Sequence, residues 1–120
     1  KSDKNITIFK NPSDKFKNEI FAKANIYLAL NTKSESFGIT LLEAVNNGNL
    51  VISSDLISFI NVLPNSHIVY KNNNFDSLCN VLTKLDSEDL NLLWNKQYKD
   101  IREYDLEENM KKFILLYSNL

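Results

Sequence analysis

Short apolar runs alternate with amphipathic segments between residues 5 and 70 of the chain. Apolar runs of this kind are typical of parallel strands, and those without a polar face are typical of strands buried on both faces. The runs predict strands at Asn5–Phe9, Ile26–Leu30, Leu50–Ser53 and Ile68–Tyr70, with Ile26–Leu30 buried on both faces. This alternation of strands and helices predicts an α/β fold with a parallel sheet.

The segments between these strands predict helices with recognisable ends. Ser13 or Asp14 is expected to cap the first helix, whose apolar stripe is Phe16, Ile20, Phe21 and Ala24. The next helix is predicted from about Gly38 to Asn47, and Gly48 follows it at a position that favours a left-handed backbone. A third, short helix is predicted over Leu56–Leu63.

After residue 70 the pattern becomes entirely helical. Two amphipathic helices are predicted, one with Phe75, Leu78, Val81, Leu82 and Leu85 on its apolar face, the other with Leu90, Leu93, Trp94 and Ile101. Asp86 or Ser87 is expected to open the second of them. Asp105 with Glu108 resembles a capping box, which predicts a closing helix.

Composition narrows the class of protein. The 120 residues are 43% hydrophobic and 24% charged, which are ordinary globular values, and no apolar run approaches the roughly 18 residues of a membrane span. A net charge of −1 argues against a broad nucleic-acid surface. The single cysteine, Cys79, excludes an intrachain disulfide, and the single histidine, His67, excludes a histidine-rich metal site.

Candidate chemistry is concentrated in residues 35–44. Glu43 is the only charged residue between Ser36 and Ser54, and Glu35 precedes the predicted helix that Gly38 begins. A glycine-led helix start presents free N–H groups and the positive end of the helix dipole, a natural place for a phosphate. A diphosphate flanked by polyhydroxyl groups would use all of these features. Two blander interpretations stay open: a buried structural glutamate and a simple tight turn.

The same stretch resembles the retaining GT-B glycosyltransferases, the large group that uses sugar nucleotides. Glu35 and Glu43 stand in that group's Glu-x7-Glu spacing, with the filler Ser-Phe-Gly-Ile-Thr-Leu-Leu between them and Val-Ile-Ser-Ser-Asp downstream. The resemblance covers about Asn5 to Leu120. Within the group, Asn31-Thr32 followed by Glu-Ser-Phe-Gly-Ile is most similar to the phosphatidylinositol mannosyltransferases.

The resemblance implies a Rossmann-like parallel sheet flanked by helices, forming part of the C-terminal, donor-binding domain of a GT-B fold, with a helical tail. It also implies a division of the site. Donor-sugar contacts fall to Glu35, Ser36, Phe37 and Gly38, diphosphate contacts to Ile39 and Thr40, and ribose contacts to Glu43. No cofactor or metal is expected, because helix dipoles and basic side chains stabilise the leaving diphosphate in this fold.

The implied partners are a GDP- or UDP-sugar and a lipid or glycan acceptor, with no nucleic acid. The group's diphosphate-binding arginine and lysine have no match here, and proline is favoured in the group near Asn49 and in place of Leu30. We therefore expect a fragment that lacks the acceptor domain, contains no catalytic residue and is inactive alone. The parent enzyme is expected in the cytoplasm, at the inner face of the membrane. A nucleotide-binding module without turnover is the alternative.

Overall fold

The computed structural model describes residues 5–33, 38–103 and 111 of the chain. Within these ranges, three parallel strands form one sheet with helices packed around it. The elements follow in the order α1 (Asp14–Lys23), β1 (Ile26–Ala29), α2 (Ile39–Asn46), β2 (Leu50–Ser54), α3 (Ile57–Val62), β3 (Val69–Tyr70), α4 (Phe75–Leu85) and α5 (Leu90–Arg102). The predicted α/β class with a parallel sheet is confirmed.

Strand β2 is the centre of the sheet, between β1 and β3. Its five residues are all buried, as expected for a parallel strand covered on both faces. The register pairs Ile26 with Leu50 on one side and Ser53 with Val69 on the other. Because all strands are parallel, their carboxyl ends meet at one edge of the sheet, and the loops that follow them lie there.

The prediction that β1 is buried on both faces is wrong. Leu28 is 37% exposed and the following Leu30 is 49% exposed. Tyr27 and Ala29 pack into the core on the face that carries α2, whereas Leu28 lies on the opposite face. On that face α4 packs against β3, at the far side of the sheet. Among the described residues, Ile26 packs against the cluster on that face, whereas Leu28 stays exposed.

The strand predicted at Asn5–Phe9 is also absent. Within the described part of the chain, residues 6–9 pair with no strand, and Ile6 and Ile8 are 64% and 79% exposed. A β-rich run becomes a strand only where an open sheet edge accepts it. In the described sheet, β1 and β3 each pair with β2 and not with this segment.

Two of the predicted helix starts have different outcomes. Ser13 caps α1, and its Oγ accepts a hydrogen bond from the Phe16 N–H at 3.2 Å, as predicted. The cap of α5 is Asp89, not Asp86 or Ser87, and its Oδ1 accepts hydrogen bonds from the N–H groups of Asn91 and Leu92 in the first turn. Asp86 and Ser87 instead belong to the end of α4, since their N–H groups donate back to Thr83 and Lys84.

The predicted apolar face of α4 is confirmed except at its first residue. Leu78, Val81, Leu82 and Leu85 pack in one core cluster with β2, whereas Phe75 is 76% exposed because it begins the helix beyond the edge of that cluster. The closing helix predicted from Asp105 and Glu108 lies outside the described residues. No described helix is long and apolar enough to cross a membrane.

A buried glutamine forms hydrogen bonds with the backbone of β2 at a position that β3 does not reach. Gln97 of α5 is fully buried; its Oε1 accepts from the Val51 N–H at 2.9 Å and its Nε2 donates to the Val51 carbonyl at 2.9 Å. Strand β3 pairs with β2 only at Ser53 and Ser54. The glutamine amide therefore satisfies both backbone groups of Val51 as a neighbouring strand residue would.

A second polar anchor on α5 holds the loop that leads into β3. Asp100 is 7% exposed and accepts hydrogen bonds from the Asn65 N–H, from Asn65 Nδ2 and from the Ser66 hydroxyl. Trp94 also fixes α5, because its indole N–H donates to the Val45 carbonyl at 3.0 Å. Helix α5 thus stabilises both the central strand and the loop beside it.

Candidate functional site

The start of α2 is built around a glycine. Gly38 is the N-cap and has φ +64°, in the left-handed region that side chains rarely adopt. The Leu41 N–H donates to the Gly38 carbonyl at 3.0 Å, which closes the first turn. The N–H groups of Gly38, Ile39 and Thr40 precede that turn and have no carbonyl within the helix to bond. They form the positive end of the α2 dipole.

Glu43 projects from the second turn of the same helix and is half-buried. It lines an open cavity of about 570 Å³ whose walls are the first turns of α1 and the later part of α2; the other lining residues are Asp14, Lys17, Asn18, Asn46 and Asn47. The Glu43 carboxylate therefore lies among polar side chains at an open cavity. The interpretation of Glu43 as a buried structural glutamate is not supported by this placement.

The end of α2 is as well defined as its start. The Gly48 N–H donates to the Val45 carbonyl at 3.0 Å and the Asn49 N–H to the Ala44 carbonyl at 2.9 Å, the pair of bonds of a Schellman motif. Gly48 has φ +92°, as its predicted role requires. With both ends fixed, the position of Glu43 along the helix is fixed as well.

Polar contacts tie together the loops that follow the three strands, a feature that the sequence pattern did not indicate. Asn72, after β3, donates through its backbone N–H to Asp55 Oδ1 at 3.0 Å and through Nδ2 to the Thr32 carbonyl at 3.0 Å. The Ser54 hydroxyl donates to the Asn31 carbonyl at 2.7 Å. The loop that leaves β1 is thereby anchored at its base.

Tyr70, at the end of β3, has a perturbed hydroxyl beside this loop cluster. Burial raises the pKa of the Tyr70 hydroxyl above its ordinary value of 10.0, and the negative charge of Asp55 raises it further. A hydrogen bond with Ser54 acts on the pKa in the opposite direction and is the smallest of the three effects.

The predicted site residues fall into two sets. Gly38, Ile39 and Thr40 lie at the helix start and Glu43 lies on the cavity wall, all on the single element α2. Glu35, Ser36 and Phe37 lie outside the described residues. Within the described ranges, no three side chains of His, Cys, Asp or Glu gather to hold a metal ion. Asp14, Lys17 and Asn18 were not predicted, because nothing in the sequence indicated that α1 faces Glu43.

Comparison with known proteins decides the family. The model of the family described as glycosyl transferases group 1 matches residues 2–113. The chain belongs to this family. Group 1 membership confirms the resemblance drawn from the two glutamates and their filler residues, and it makes the chain a glycosyltransferase domain.

Individual relatives of this group 1 chain match a shorter stretch of it than the family model does. Phosphatidyl-myo-inositol mannosyltransferases from Mycobacterium tuberculosis and Mycobacterium bovis are each 47% identical to it over 45 residues. That stretch is 38% of this chain but only 12% of each relative. The group 1 chain therefore matches a small part of those enzymes' length.

Proposed function

We propose that this chain is the donor-binding part of a retaining group 1 glycosyltransferase, with a nucleoside diphosphate sugar bound along α2. The observation that carries the proposal is the position of Glu43, on an open polar cavity one helical turn from the N–H groups at the α2 start. The rise from Ile39 to Glu43 is about 6 Å at 1.5 Å per residue. A diphosphate at the helix start would thus place its ribose within reach of the carboxylate.

Each part of the ligand has a matching group. The first N–H groups of α2, at Gly38, Ile39 and Thr40, bind the diphosphate through hydrogen bonds and the helix dipole. Glu43 accepts hydrogen bonds from the ribose hydroxyls, and such charge-assisted bonds are each worth roughly 1.5–3 kcal/mol. The donor sugar lies on the other side of the phosphates. Glu35 and its neighbours Ser36 and Phe37, with Gly38, bind it in this proposal.

The base lies in the cavity, against the first turns of α1. Asp14 and Asn18 offer hydrogen-bond acceptors there, and Lys17 and Asn18 offer donors. A volume of about 570 Å³ falls within the range of roughly 300–1,000 Å³ that small-molecule sites occupy. The polar lining and the volume of the cavity support its proposed role as the nucleoside half of the donor site.

The acceptor binds to parts of a longer enzyme. The exposed side chains of Leu28, on the outer strand β1, and of Leu30, which follows it, support further chain packing against this side of the sheet. The similarity to phosphatidyl-myo-inositol mannosyltransferases supports mannose as the transferred sugar and phosphatidyl-myo-inositol as the acceptor. A lipid acceptor in turn supports a parent enzyme in the cytoplasm, at the inner face of the membrane.

Amide NMR of the chain during titration with GDP and with UDP tests the proposal. The expected result is that the amide signals of Ile39, Thr40 and Asn46 shift on addition of one nucleotide, while those of Val81, on α4, do not. Shifts confined to the apolar groove between β3, α4 and α5, lined by Ile68 and Leu85, would contradict it.

A further inference from the structure

A single buried side chain joins the ends of the two helices that form the cavity walls. Asn49 is fully buried, and its Nδ2 donates to the carbonyls of Phe21 and Ala24, both at 2.7 Å. Both carbonyls belong to the C-terminal end of α1, where helix carbonyls lack partners within the helix. Because both partners are acceptors, the amide nitrogen must face them.

The backbone of the same residue ends α2. The Asn49 N–H donates to the Ala44 carbonyl at 2.9 Å, and the next residue, Leu50, begins β2 with a backbone bond to the Asn25 carbonyl at 2.9 Å. Asn49 therefore contacts the end of α1 through its side chain and the end of α2 through its main chain. It lies where both helices meet the sheet.

Helix α1 buries little of its own surface. Phe21 is the one residue of that helix that is buried, and its ring meets the Tyr27 ring at 5.5 Å in an edge-to-face arrangement. The rest of α1 is exposed or half-buried. The helix is thus attached near its C-terminal end by Phe21 and Asn49, while Asp14 and Lys17 at the other end line the cavity.

We propose that Asn49 is a positioning residue for the nucleotide site, which sets the separation of α1 from α2 and hence the width of the cavity at Glu43. This proposal rests on the function proposed above for that cavity. Ala24 lies ten positions after Asp14. At 1.5 Å per residue that lever is about 15 Å long, so a tilt of about 10° at Asn49 moves Asp14 by about 2–3 Å. Such a movement changes which ligand atoms Asp14 and Lys17 reach.

The side-chain oxygen of Asn49 indicates that this amide acts through its nitrogen, as a hydrogen-bond donor. Asn49 Oδ1 is buried and has no hydrogen-bond partner among the described residues. A buried amide oxygen without a partner is unfavourable, so the donor bonds to α1 must outweigh that penalty. Asn49→Asp keeps the shape of the side chain but turns oxygens toward both carbonyls. Asn49→Ser keeps one hydroxyl donor and introduces no charge.

The experiment combines hydrogen exchange with nucleotide binding in the full chain. Leu85→Ala, in the other core cluster, is the control for a loss of stability that does not involve α1. Without ligand, Asn49→Asp and Asn49→Ser should raise exchange of the α1 amides about tenfold or more relative to those of β2, whereas Leu85→Ala, at a residue that packs against β2, should not raise that ratio. Equal acceleration in α1 and β2, or none, would overturn the positioning role.

Binding is then measured by calorimetry with GDP and UDP under conditions where every variant is folded. The Asn49 variants should weaken whichever nucleotide the parent chain binds by about tenfold, with Leu85→Ala within about twofold of the parent. Unchanged affinity in variants whose α1 amides exchange faster would overturn the role in nucleotide binding. If the parent chain binds neither nucleotide, the proposed function fails, and the exchange data still decide whether Asn49 holds α1.

Discussion

Gly38 packs against Val62 so closely that there is no room for a side chain between them. A Cβ at Gly38 would lie 2.8 Å from Val62 Cγ2 and 3.5 Å from the Ser58 carbonyl oxygen. Val62 is itself fully buried in α3 and cannot move aside into solvent. The contact thus fixes the start of α2, where the diphosphate is proposed to bind, against α3.

Gly38→Ala should therefore destabilise the fold by about 2–4 kcal/mol, since it combines a left-handed φ with a steric clash. Gly48→Ala is the matched control, because Gly48 has φ +92° but open space around its Cβ. It should cost about 1–2 kcal/mol from backbone strain alone. Urea unfolding of both variants gives the comparison. Equal losses would show that the approach to Val62 carries no energetic weight.

Replacing Gln97 should expose how much the sheet depends on its amide. Gln97→Leu keeps most of the volume but leaves the Val51 N–H and carbonyl without partners, which should cost about 2–4 kcal/mol. The neighbouring Lys96→Leu, on the exposed side of α5, should change stability by less than about 0.5 kcal/mol. Chemical denaturation monitored at Trp94 reports both. A Gln97 variant as stable as the Lys96 variant would contradict this account of β2.

Local patterns in the sequence predicted most of the elements because their causes are local. Ser13 and Gly48 perform the capping roles that their residue types favour, and the apolar runs at β2 and β3 are strands. The predictions that were wrong depended on which other strands or helices pack against a segment. Asn5–Phe9 has strand composition, and Leu28 has core composition, but whether a partner strand or a covering helix exists is not written in those residues.

The sequence predicted the site residues that belong to α2, but not those that α1 contributes. Glu43 and Gly38 belong to one contiguous motif, so their spacing was visible in the sequence. Asp14, on α1, lines the same cavity because α1 lies beside α2, where Asn49 donates a hydrogen bond to the Phe21 carbonyl. Such long-range contacts carry no periodic signal, and the same is true of Gln97 and Asp100.

Alkaline pH should destabilise the protein through Tyr70. Its pKa in the folded state is raised by burial and by Asp55 above the ordinary value of 10.0, so the folded state holds the phenolic proton more tightly than the unfolded chain. The resulting contribution is complete below pH 10 and is lost as the pH rises through the folded-state pKa. Tyr70→Phe and Asp55→Asn should both reduce the loss of stability between about pH 10 and 12. An alkaline slope unchanged in both variants would rule out this group as its source.

The isolated 120-residue chain should show no transferase activity. The basic residues that the resemblance places on the diphosphate have no match in it, and it aligns with only 12% of the length of the mannosyltransferases it resembles. Incubation with a panel of GDP- and UDP-sugars and with lipid and glycan acceptors should yield no glycosylated product. Turnover by the purified chain would contradict this prediction and would show that the proposed donor-binding part suffices for catalysis.

The two glutamates should contribute differently to donor binding in the full-length enzyme. Glu43 is proposed to act on the ribose, so Glu43→Ala should weaken both the free nucleoside diphosphate and the nucleotide sugar. Losing one or two charge-assisted hydrogen bonds costs on the order of 2–4 kcal/mol, or roughly 30- to 1000-fold in affinity. Glu88→Ala, at the far side of the sheet beside α4 and β3, is the control and should leave both affinities unchanged.

Glu35→Ala should affect the affinity for the nucleotide sugar but not the affinity for the bare nucleoside diphosphate. Glu35 is proposed to contact only the sugar, so this variant should weaken the nucleotide sugar while leaving the bare diphosphate within about twofold of the parent enzyme. It should also lower kcat, because hydrogen bonds to the sugar hydroxyls that tighten in the transition state contribute to the chemical step and not only to binding. Isothermal titration of both ligands into both variants decides the matter. Equal losses of diphosphate affinity in the Glu35 and Glu43 variants would show that the carboxylates share one subsite, and the proposed order of base, ribose, diphosphate and sugar along α2 would then be wrong.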